Sequence, residues 1–566
     1  MEKISGAQAL IKALLNEGVD TIFGYPGGAI IPVFDAMYDF YNDFKYVLTR
    51  HEQGAIHSAQ GYARVSGKPG VCIVTSGPGA TNTITGIGDA MLDNTPLVVI
   101  TGQVGKSLLG TDAFQEIDVV GITQPITKWS YQIRDEKEIA WAVARAFYIA
   151  NNGRPGPVVL DFAKNAQTAL VDFKPEKCNF IRSYIPTLPL KTEKVEKAAE
   201  LINNAKKPLA LVGHGVTIGK AEEELKAFLE VADIPAAWTM LGESAMATDY
   251  PLNKGMLGMH GNIGPNIKTN ECDLLIAIGM RFDDRITGDL NTYAKQAKKI
   301  HFDIDPSEFN KNVAVDLTVL GNSKESIAAV TEYVNKTEHK EWLKMFDRPR
   351  AEEQAKVIDI EVSPKEGTLK MGEVVSRVSK YTNNSAVVVT DVGQNQMMGV
   401  RYSGYSQPRS VITSGGLGTM GFGLGAAMGA MVATKDPTIL ITGDGSFGMN
   451  LNEMATAVAN KVPLVILLMN NGVLGMVRQW QTLFFQKHYS NTMLDARQTD
   501  FVKLAEAFGA QASRALTLEE LDEALEKAFS CEGPYLIDCA IDKDEFVLPM
   551  LPPGGSMDDI IVKVGD

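Results

Sequence analysis

Two short stretches near the end of the chain place small residues and oxygen-bearing side chains directly after apolar runs. The first is GDGS at 443–446, and the second is NNG at 470–472. The interval from Gly443 to Asn471 covers 29 residues, which is enough for one crossover of strand, helix and strand. Such a crossover puts the ends of two parallel strands side by side, so Asp444 and Asn471 are predicted to converge on one point.

The predicted meeting point suits a divalent cation and a phosphate. A carboxylate and an amide oxygen are hard ligands for Mg²⁺, which takes its remaining ligands from phosphate and water. We therefore predict Asp444 and Asn471 as metal ligands, with the backbone carbonyl of Val473 as a third. Small residues around the carboxylate would let a phosphate approach the backbone N–H groups that start the next helix. These residues are Gly443, Gly445 and Ser446.

Six apolar runs, separated by helix-like stretches, predict the strands that position such side chains. Runs of this kind, rich in Val and Ile, are typical of parallel strands buried on both faces, which predicts an α/β fold. Each run ends in Gly, Ser, Asp or Asn, and ligands collect beyond the carboxyl ends of strands in open parallel sheets. One such ending is typical of a plain strand-to-helix turn, but six together favour ligand sites. The runs begin at Val71, Leu209, Leu274, Ala386, Ile439 and Leu464.

The length of 566 residues predicts about three domains, because single domains usually have roughly 100–200 residues. Two stretches are interpreted as connectors. The stretch 172–192 is irregular with three prolines, and 337–366 is strongly charged with two more. We therefore predict domains at 1–180, 190–340 and 366–566, each a mainly parallel sheet flanked by helices.

Composition excludes several classes of partner. The formal charge of −14 argues against binding to nucleic acid or to anionic membranes. The five cysteines are scattered without a CxxC pair, so neither a disulfide framework nor a zinc site is indicated.

The first residues, MEKISGAQALIKALLNEG, predict an amphipathic helix and lack the apolar core of a signal peptide. Apolar segments stay shorter than the ~18 residues of a membrane span, so we expect a cytoplasmic protein.

Motifs along nearly the whole chain match one known family. The GDG and NN pair resembles the thiamine diphosphate fingerprint, which identifies only a cofactor, whereas RFDDR at 281–285 and GMVRQWQ at 475–481 are far more specific. With FGYPGGAIIPVFDA, RHEQGAIHSAQGYA, TSGPGATN, DAFQEIDVVGIT, SGGLGTMGFG and VLPMLPPGG, they resemble the catalytic large subunit of acetohydroxyacid synthase, also called acetolactate synthase. The resemblance implies a pyrimidine-binding domain, a central FAD-binding domain and a domain that binds diphosphate and Mg²⁺, in that order.

The resemblance also implies a reaction. Enzymes of this family decarboxylate pyruvate and condense the remaining hydroxyethyl unit with a second 2-keto acid. Pyruvate as acceptor gives 2-acetolactate, and 2-ketobutyrate gives 2-aceto-2-hydroxybutyrate, both precursors of branched-chain amino acids. The implied cofactors are thiamine diphosphate, Mg²⁺ and an FAD that undergoes no net redox change.

Four side chains match family positions with catalytic roles. Glu52 would hydrogen-bond the aminopyrimidine ring of the coenzyme and promote its active tautomer. Met420 would keep the coenzyme bent, and Arg285 would bind the carboxylate of the acceptor. Trp480 would favour the larger acceptor, a preference that a hydrophobic pocket can create at ~1–3 kcal/mol per methylene. Other positions that match the family's site and access channel are Gly28, Phe114, Gln115 and Lys164.

The same match assigns residues to each cofactor. Those implied for thiamine diphosphate are Gly393, Gln394, Asn395, Gly418, Met420, Gly443, Asp444, Gly445, Ser446, Asn471, Gly475 and Met476. Those implied for FAD are Arg154, Gly213, His214, Gly215, Met259, His260, Gly261, Arg281, Asp283, Arg285, Asp303 and Asn322. The chain departs from the family where Asn395 replaces the usual His, Gly425 the usual Pro and Asn322 the usual Asp.

Three alternatives stay open. A flavin-using pyruvate oxidase would share Glu52 and the GDG and NN motifs but would pass electrons onward. A flavin-independent catabolic acetolactate synthase is opposed by RFDDR. A nucleotide-binding scaffold without turnover is opposed by the presence of Glu52, Asp444 and Asn471.

The resemblance finally implies partners. It predicts a homodimer, or a tetramer, in which Glu52 of one chain meets Asp444 and Asn471 of the other, in the isologous geometry that homodimers favour. A small regulatory subunit that responds to valine is a common partner in the family.

Overall fold

The computed structural model describes residues 3–363, 368–494 and 499–563. Three six-stranded parallel sheets flanked by helices follow one another along these ranges, which confirms the predicted α/β fold. The sheets lie at 21–163, 208–320 and 387–540, inside the three predicted domains, whose boundaries stay a prediction. No helix within the described ranges is both long enough and apolar enough to cross a membrane.

The N-terminal unit contains the first sheet. Its elements are β1 (Ile4–Ser5), α1 (Gly6–Asn16), β2 (Thr21–Tyr25), α2 (Ile31–Met37), β3 (Lys45–Leu48), α3 (Glu52–Ser66), β4 (Gly70–Val74), α4 (Pro78–Thr81), α5 (Ile84–Leu92), β5 (Leu97–Gln103), α6 (Val119–Thr123), β6 (Trp129–Ile133), α7 (Ile139–Asn151), β7 (Pro157–Ala163), α8 (Lys164–Thr168) and β8 (Leu170–Val171). The strand order is β3-β2-β4-β5-β7-β6, and β1 pairs separately with β8. Strands β4, β5 and β7 are buried at every residue because helices cover both faces of the sheet.

The middle unit contains the second sheet. Its elements are α9 (Thr192–Asn204), β9 (Pro208–Val212), α10 (His214–Gly219), α11 (Glu222–Ala232), β10 (Ala236–Trp238), β11 (Asn253–Met256), α12 (Ile263–Thr269), β12 (Leu274–Ile278), α13 (Asp284–Thr287), β13 (Lys298–Asp303), β14 (Leu317–Leu320), α14 (Ser323–Thr331), α15 (Lys340–Lys344), α16 (Asp347–Glu353) and α17 (Asp359–Val362). The strand order is β11-β10-β9-β12-β13-β14. The carboxyl ends of β9, β12, β13 and β14 therefore lie along one edge.

The C-terminal unit contains the third sheet. Its elements are α18 (Met371–Tyr381), β15 (Val387–Thr390), α19 (Gln394–Tyr402), β16 (Val411–Ile412), α20 (Phe422–Ala433), β17 (Thr438–Gly443), α21 (Asp444–Asn450), α22 (Met454–Ala459), β18 (Val465–Asn470), α23 (Gly475–Phe484), α24 (Phe501–Ala507), β19 (Gln511–Ala515), α25 (Leu518–Ser530) and β20 (Tyr535–Ala540). The strand order is β16-β15-β17-β18-β20-β19. The GDG and NN stretches thus follow the two central strands of this sheet.

Helices α3 and α20 pack against each other and join the N-terminal unit to the C-terminal unit. A Cβ atom on Gly61 would lie 1.9 Å from the carbonyl oxygen of Ala426, and one on Gly429 would lie 1.8 Å from that of Ser58. The two backbones approach so closely that only glycine fits at these positions. Gly425, which departs from the family pattern, belongs to the same crossing, because its Cβ would lie 2.9 Å from the carbonyl oxygen of Gly54.

The two predicted connectors differ in structure. Residues 172–191, all of them described, form no helix and no strand beyond an isolated bridge, as their prolines predict. The second connector instead folds into α15, α16 and α17, with Gln354–Ile358 as a π-helical turn. Trp342 in α15 is buried and donates a 2.7 Å hydrogen bond to the carbonyl of Pro208, so this segment packs on the middle unit. Positions 364–366 of this connector lie outside the described residues.

Candidate active site

The predicted crossover between Gly443 and Asn471 is present. Strands β17 and β18 are adjacent and parallel, and Gly443 pairs with Met469. Helices α21 and α22 form the connection between the two strands. Asp444 and Asn471 consequently stand just beyond the carboxyl ends of neighbouring strands, at one edge of the sheet.

Asn471 is held by hydrogen bonds on both sides of its amide. Its Oδ1 accepts a 3.1 Å hydrogen bond from the backbone N–H of Val473, and its Nδ2 donates to Oε1 of Gln394 at 3.3 Å. Gln394 in turn donates to the side chain of Gln479 at 3.1 Å and to the carbonyl of Glu545 at 2.8 Å. A carbonyl oxygen has two lone pairs, so Oδ1 of Asn471 keeps one for a metal ion.

Three helices begin at this same edge. Gly393, Gly443 and Leu474 precede α19, α21 and α23, respectively. The first N–H groups of a helix have no partner within the helix, and together they favour an anion. Gly393 has a φ of 142°, in a region that favours glycine, which shapes the turn into α19. The edge therefore fits a diphosphate.

Other predicted diphosphate contacts fix the loops of this edge. The amide nitrogen of Asn395 donates to the carbonyls of Asp391 and Ile441 at 2.8 and 3.3 Å. The hydroxyl of Ser446 donates to the carbonyl of Val392 at 2.7 Å. Both side chains therefore tie the start of α19 or α21 to the turn after β15. Gly475 is equally confined, since a Cβ there would lie 2.0 Å from Oε1 of Gln394.

Met420 lies beside the GDG turn. A Cβ on Gly445 would be 3.7 Å from Cε of Met420, and the methionine is half-buried. Gly418, two residues earlier, has a φ of 71° and gives the loop before α20 its turn. The structure thus places Met420, the side chain predicted to keep the coenzyme bent, beside the turn that carries the predicted metal ligand Asp444.

Glu52 lies at the equivalent edge of a different sheet. It is the first residue of α3, follows the capping residue His51, and accepts a 2.9 Å hydrogen bond at Oε2 from Nδ2 of Asn82. Its neighbours at this edge include Gly28, whose carbonyl accepts a 3.3 Å hydrogen bond from Lys164. Gln115, with a φ of 59°, belongs here too, because a Cβ on Gly77 would lie 2.9 Å from its carbonyl oxygen.

A cavity of about 1540 Å³ lies between the three units. It exceeds the roughly 300–1,000 Å³ of ordinary ligand sites, so a large cofactor fits. Ten of the twelve residues predicted to hold FAD line it, and the exceptions are Gly213 and Gly261. Gly213 instead packs behind the wall, where a Cβ would lie 2.2 Å from the carbonyl oxygen of Gly279. Gly418, Met476 and Trp480 also line the cavity, which therefore reaches the C-terminal site.

Two histidines of the cavity wall are neutral at pH 7. Burial, followed by the charge of Arg64, lowers the pKa of His214 to about 4. Burial, followed by the charge of Arg401, lowers the pKa of His260 to about 4. Burial raises the pKa of Asp303 in the same wall to about 6.

Two arginines of the cavity differ in their partners. Arg154 of the N-terminal unit lies 2.6 Å from Oε1 of Glu308 and 3.1 Å from Oδ2 of Asp305, both in the middle unit. It also donates to Asn94 at 2.6 Å, so it joins two units. The side chain of Arg285 is 62% exposed and lies 3.7 Å from the carboxylate of Asp284, which leaves its guanidinium accessible to a carboxylate ligand.

Two buried carboxylates that support the site were not singled out from the sequence. Asp391 accepts hydrogen bonds from the backbone N–H of Gly421 at 2.9 Å and of Val392 at 3.0 Å. Its position at the end of a predicted strand was a usable signal. Glu453 accepts a 3.0 Å hydrogen bond from the N–H of Arg50 and so supports the start of α3. The separation of 403 residues leaves no pattern that would reveal this contact.

Family models match the chain in three consecutive parts. Residues 4–122 match the thiamine pyrophosphate enzyme N-terminal TPP binding domain, and residues 195–330 match the central domain of those enzymes. Residues 391–539 match the C-terminal TPP binding domain. The first and third matches contain Glu52 and the pair Asp444 and Asn471, respectively.

Similar proteins extend over essentially the full length. The probable acetolactate synthase large subunit of Methanocaldococcus jannaschii is 43% identical over 99% of this chain and 95% of its own length. The acetolactate synthase isozyme 2 large subunit of Escherichia coli (strain K12) is 43% identical over 99% of this chain and 100% of its own. The acetolactate synthase large subunit of Corynebacterium glutamicum is 42% identical over 100% and 91%.

Proposed function

This chain belongs to the acetolactate synthase large-subunit family of thiamine pyrophosphate enzymes, and on that premise we propose that it is an acetolactate synthase. It would decarboxylate pyruvate and join the remaining two-carbon unit to pyruvate, giving 2-acetolactate, or to 2-ketobutyrate, giving 2-aceto-2-hydroxybutyrate. The observation that carries the proposal is the similarity to acetolactate synthase large subunits over essentially the full chain. The position of Asp444 and Asn471 beyond adjacent strands, where three helices begin, supports the binding of the coenzyme.

We propose that this edge binds the diphosphate of the coenzyme through Mg²⁺. The ligands would be the carboxylate of Asp444, Oδ1 of Asn471 and the carbonyl of Val473, which are hard oxygens of the kind that Mg²⁺ prefers. The N–H groups that start α19, α21 and α23 would face the phosphates. When bound, thiamine diphosphate supplies the stabilised carbanion that the reaction needs.

Glu52 and Met420 would act on the organic part of the coenzyme. Glu52 would donate or accept a proton at the aminopyrimidine ring, and Asn82 would keep the carboxyl group oriented. Met420, beside Gly445, would support the coenzyme from the apolar side. These roles require Glu52 to lie close to the sheet edge of the C-terminal unit that would bind the diphosphate.

A second copy of the chain would bring its own Glu52 to that edge. The edge that holds Glu52 exposes several large apolar side chains, which water disfavours and a protein partner would cover. They are Tyr25, Ile31, Leu48 and Phe114, with exposures of 38, 57, 40 and 89%. We therefore propose a homodimer in which the N-terminal unit of each chain completes the C-terminal site of the other.

The large cavity would hold FAD as a structural cofactor. Neutral His214 and His260 would contact it without adding charge, and the exposed guanidinium of Arg285 would meet the acceptor's carboxylate at its inner end. Trp480, whose ring centroid lies 5.5 Å from that of Phe484 in an edge-to-face arrangement, would form the apolar pocket for the larger acceptor.

We also propose a small regulatory subunit as a partner, because the relatives are named large subunits. We further propose a cytoplasmic location, which the five free cysteines support.

The decisive experiment supplies the purified chain with ¹³C-labelled pyruvate, with and without 2-ketobutyrate, in the presence of thiamine diphosphate and Mg²⁺ and with or without FAD. NMR identifies the products under anaerobic conditions, with Glu52→Gln as a control of strongly reduced activity. We expect acetolactate, the mixed product and carbon dioxide, with no bleaching of the flavin. Acetate formation with flavin reduction would overturn the proposal in favour of a pyruvate oxidase, and coenzyme binding without pyruvate consumption would indicate a scaffold.

Mixing variants tests the shared site. Glu52→Ala and Asp444→Ala chains should each be inactive, and heterodimers should regain activity because one of their two sites is intact. No recovery in verified heterodimers would contradict a site shared between chains.

A further inference from the structure

The loop between β16 and α20 separates two predicted cofactor sites. Its residues 414–418 line the large cavity on one side. Two residues farther on, Met420 approaches the GDG turn of the diphosphate edge. This one loop therefore borders both predicted sites.

Asp93 of the N-terminal unit holds the first glycines of the loop. Its Oδ2 accepts a 2.9 Å hydrogen bond from the N–H of Gly415, and its Oδ1 accepts one of 2.7 Å from Gly416. The approach is close, since a Cβ on Gly416 would lie 2.8 Å from Oδ1 of Asp93. Hydrogen bonds from backbone N–H groups to a buried carboxylate are among the stronger ones in proteins.

Asp89, one helical turn earlier in α5, holds the rest of the loop. Its Oδ1 accepts hydrogen bonds from the hydroxyls of Ser414 and, at 3.1 Å, of Thr419. The hydroxyl of Ser414 then accepts a 2.9 Å hydrogen bond from the N–H of Thr419. Both ends of the turn are thereby tied to one carboxylate.

Arg64 of α3 completes the cluster. Its Nη2 lies 2.8 Å from Oδ2 of Asp93 and 3.7 Å from Oδ2 of Asp89, and its Nη1 donates to the carbonyl of Thr413. Both carboxylates are fully buried, and the guanidinium nearly so. Burial, followed by the charge of Asp93, raises the pKa of Asp89 to about 6. Burying such charges is costly, and removing one partner would leave an uncompensated charge inside the protein.

We propose that Asp89, Asp93 and Arg64 are positioning residues that hold the loop 413–420, and with it Met420 and the inner wall of the large cavity, in the geometry that both cofactors need. The inference rests on the proposed function for what binds on either side of the loop. The N-terminal unit would then have two tasks, since its Glu52 serves the partner chain while its Asp89 and Asp93 organise the loop of their own chain.

The test compares Asp93→Asn with Asp161→Asn as a matched control. Asp161 is a fully buried carboxylate of the same unit, as Asp93 is, and it accepts hydrogen bonds from Thr101, Gln103 and Gln132, away from the loop. Hydrogen–deuterium exchange of the peptide 413–421 is measured on the intact protein without cofactors. Dissociation constants for thiamine diphosphate and FAD are measured separately by titration.

For Asp93→Asn we expect exchange of the Gly415 and Gly416 amides to speed up by about tenfold or more, and both dissociation constants to rise by a similar factor. Asp161→Asn should leave the loop and both constants within about twofold. Thr419→Val is the second variant, to be used if Asp93→Asn does not fold. It removes only one hydroxyl hydrogen bond to Asp89, and it should speed up exchange of the same amides.

Native exchange of 413–421 in a folded Asp93→Asn protein, or in Thr419→Val where only that variant folds, would overturn the inference. So would equal changes in Asp161→Asn. If the unsubstituted chain bound neither cofactor, the proposed function would fail instead, while the exchange data would still report on the loop.

Discussion

The side-chain amide of Asn82 donates a 2.9 Å hydrogen bond to Oε2 of Glu52. The contact forms within one unit, and the backbone before Glu52 is fixed separately by the hydrogen bond from Arg50 to Glu453. The carboxyl group is therefore oriented before any coenzyme binds. Preorganisation of this kind lowers the reorganisation needed during catalysis.

Glu52→Gln should lower kcat/KM by about 10²–10⁴, because proton transfer by a positioned carboxyl group contributes that much. Asn82→Ala should lower kcat/KM by about tenfold, because Glu52 keeps its backbone position but loses the hydrogen bond that orients its carboxyl group. Steady-state acetolactate formation measures both effects. Glu176→Gln, at an exposed position of the same unit, is the control and should behave like the unsubstituted chain. An unchanged rate of coenzyme C2-proton exchange in Glu52→Gln would exclude the assigned role.

Asn471→Ala and Asn470→Ala form a matched pair for the metal site. Asn470 is the adjacent residue, but its side chain turns to Asp538 at 2.9 Å. Loss of the Asn471 ligand should raise the Mg²⁺ concentration needed for coenzyme binding by about 10–100-fold. Titration of coenzyme binding against Mg²⁺ measures the effect, and Asn470→Ala should leave the midpoint unchanged. Equal shifts in the two variants would assign the effect to general destabilisation of the strand end.

The crossover that places Asp444 and Asn471 beyond the ends of two adjacent strands was predicted from apolar runs and spacing alone. This succeeded because a crossover fixes where two parallel strands end. The role of Glu52 came only from the family resemblance, since an isolated glutamate carries no pattern. The contacts from Asp93 to Gly415 and Gly416 could not be predicted, because they join positions more than 320 residues apart and depend on how two units pack.

Trp480→Leu should reduce the preference for 2-ketobutyrate over pyruvate. The indole lines the large cavity beside Phe484, and a smaller side chain removes contacts that an extra methylene of the acceptor would make. We expect the product ratio from equal concentrations of the two acceptors to fall by about tenfold or more. The control is Trp141→Leu, which changes a tryptophan that is 37% exposed and does not line the cavity. A constant ratio in Trp480→Leu would assign acceptor preference to other residues.

Arg154→Met should weaken both stability and flavin binding. The guanidinium joins Asn94 to Asp305 and Glu308 across two units, and its loss leaves Glu308 buried without its closest cation. We expect a loss of about 1–3 kcal/mol in unfolding free energy, together with weaker retention of FAD during gel filtration. Arg377→Met breaks an exposed pair with Asp522 and should cost less than about 1 kcal/mol. Equal losses in the two variants would contradict a special role for Arg154.

Glu545 should make the protein less stable as pH rises. Burial, followed by the negative charge of Glu361, raises the pKa of Glu545 from 4.5 to about 8, while Oε1 accepts a 2.9 Å hydrogen bond from Met371. The folded state therefore binds more protons than the unfolded state between these pH values, and this group lowers unfolding free energy by up to ~1.4 kcal/mol per pH unit. Its contribution is constant below the lower value and above the upper one.

Glu545→Gln removes the titrating group and keeps an oxygen for the N–H of Met371. Urea unfolding at pH 5, 6, 7 and 8 should consequently give a flatter profile, with the largest gain over the unsubstituted chain at pH 8. Glu526→Gln, at an exposed position of α25, should reproduce the slope of the unsubstituted chain. Parallel profiles for Glu545→Gln and the unsubstituted chain would mean that Glu545 does not titrate in this range, and that another buried group, such as Glu361 or Asp391, sets the alkaline loss of stability.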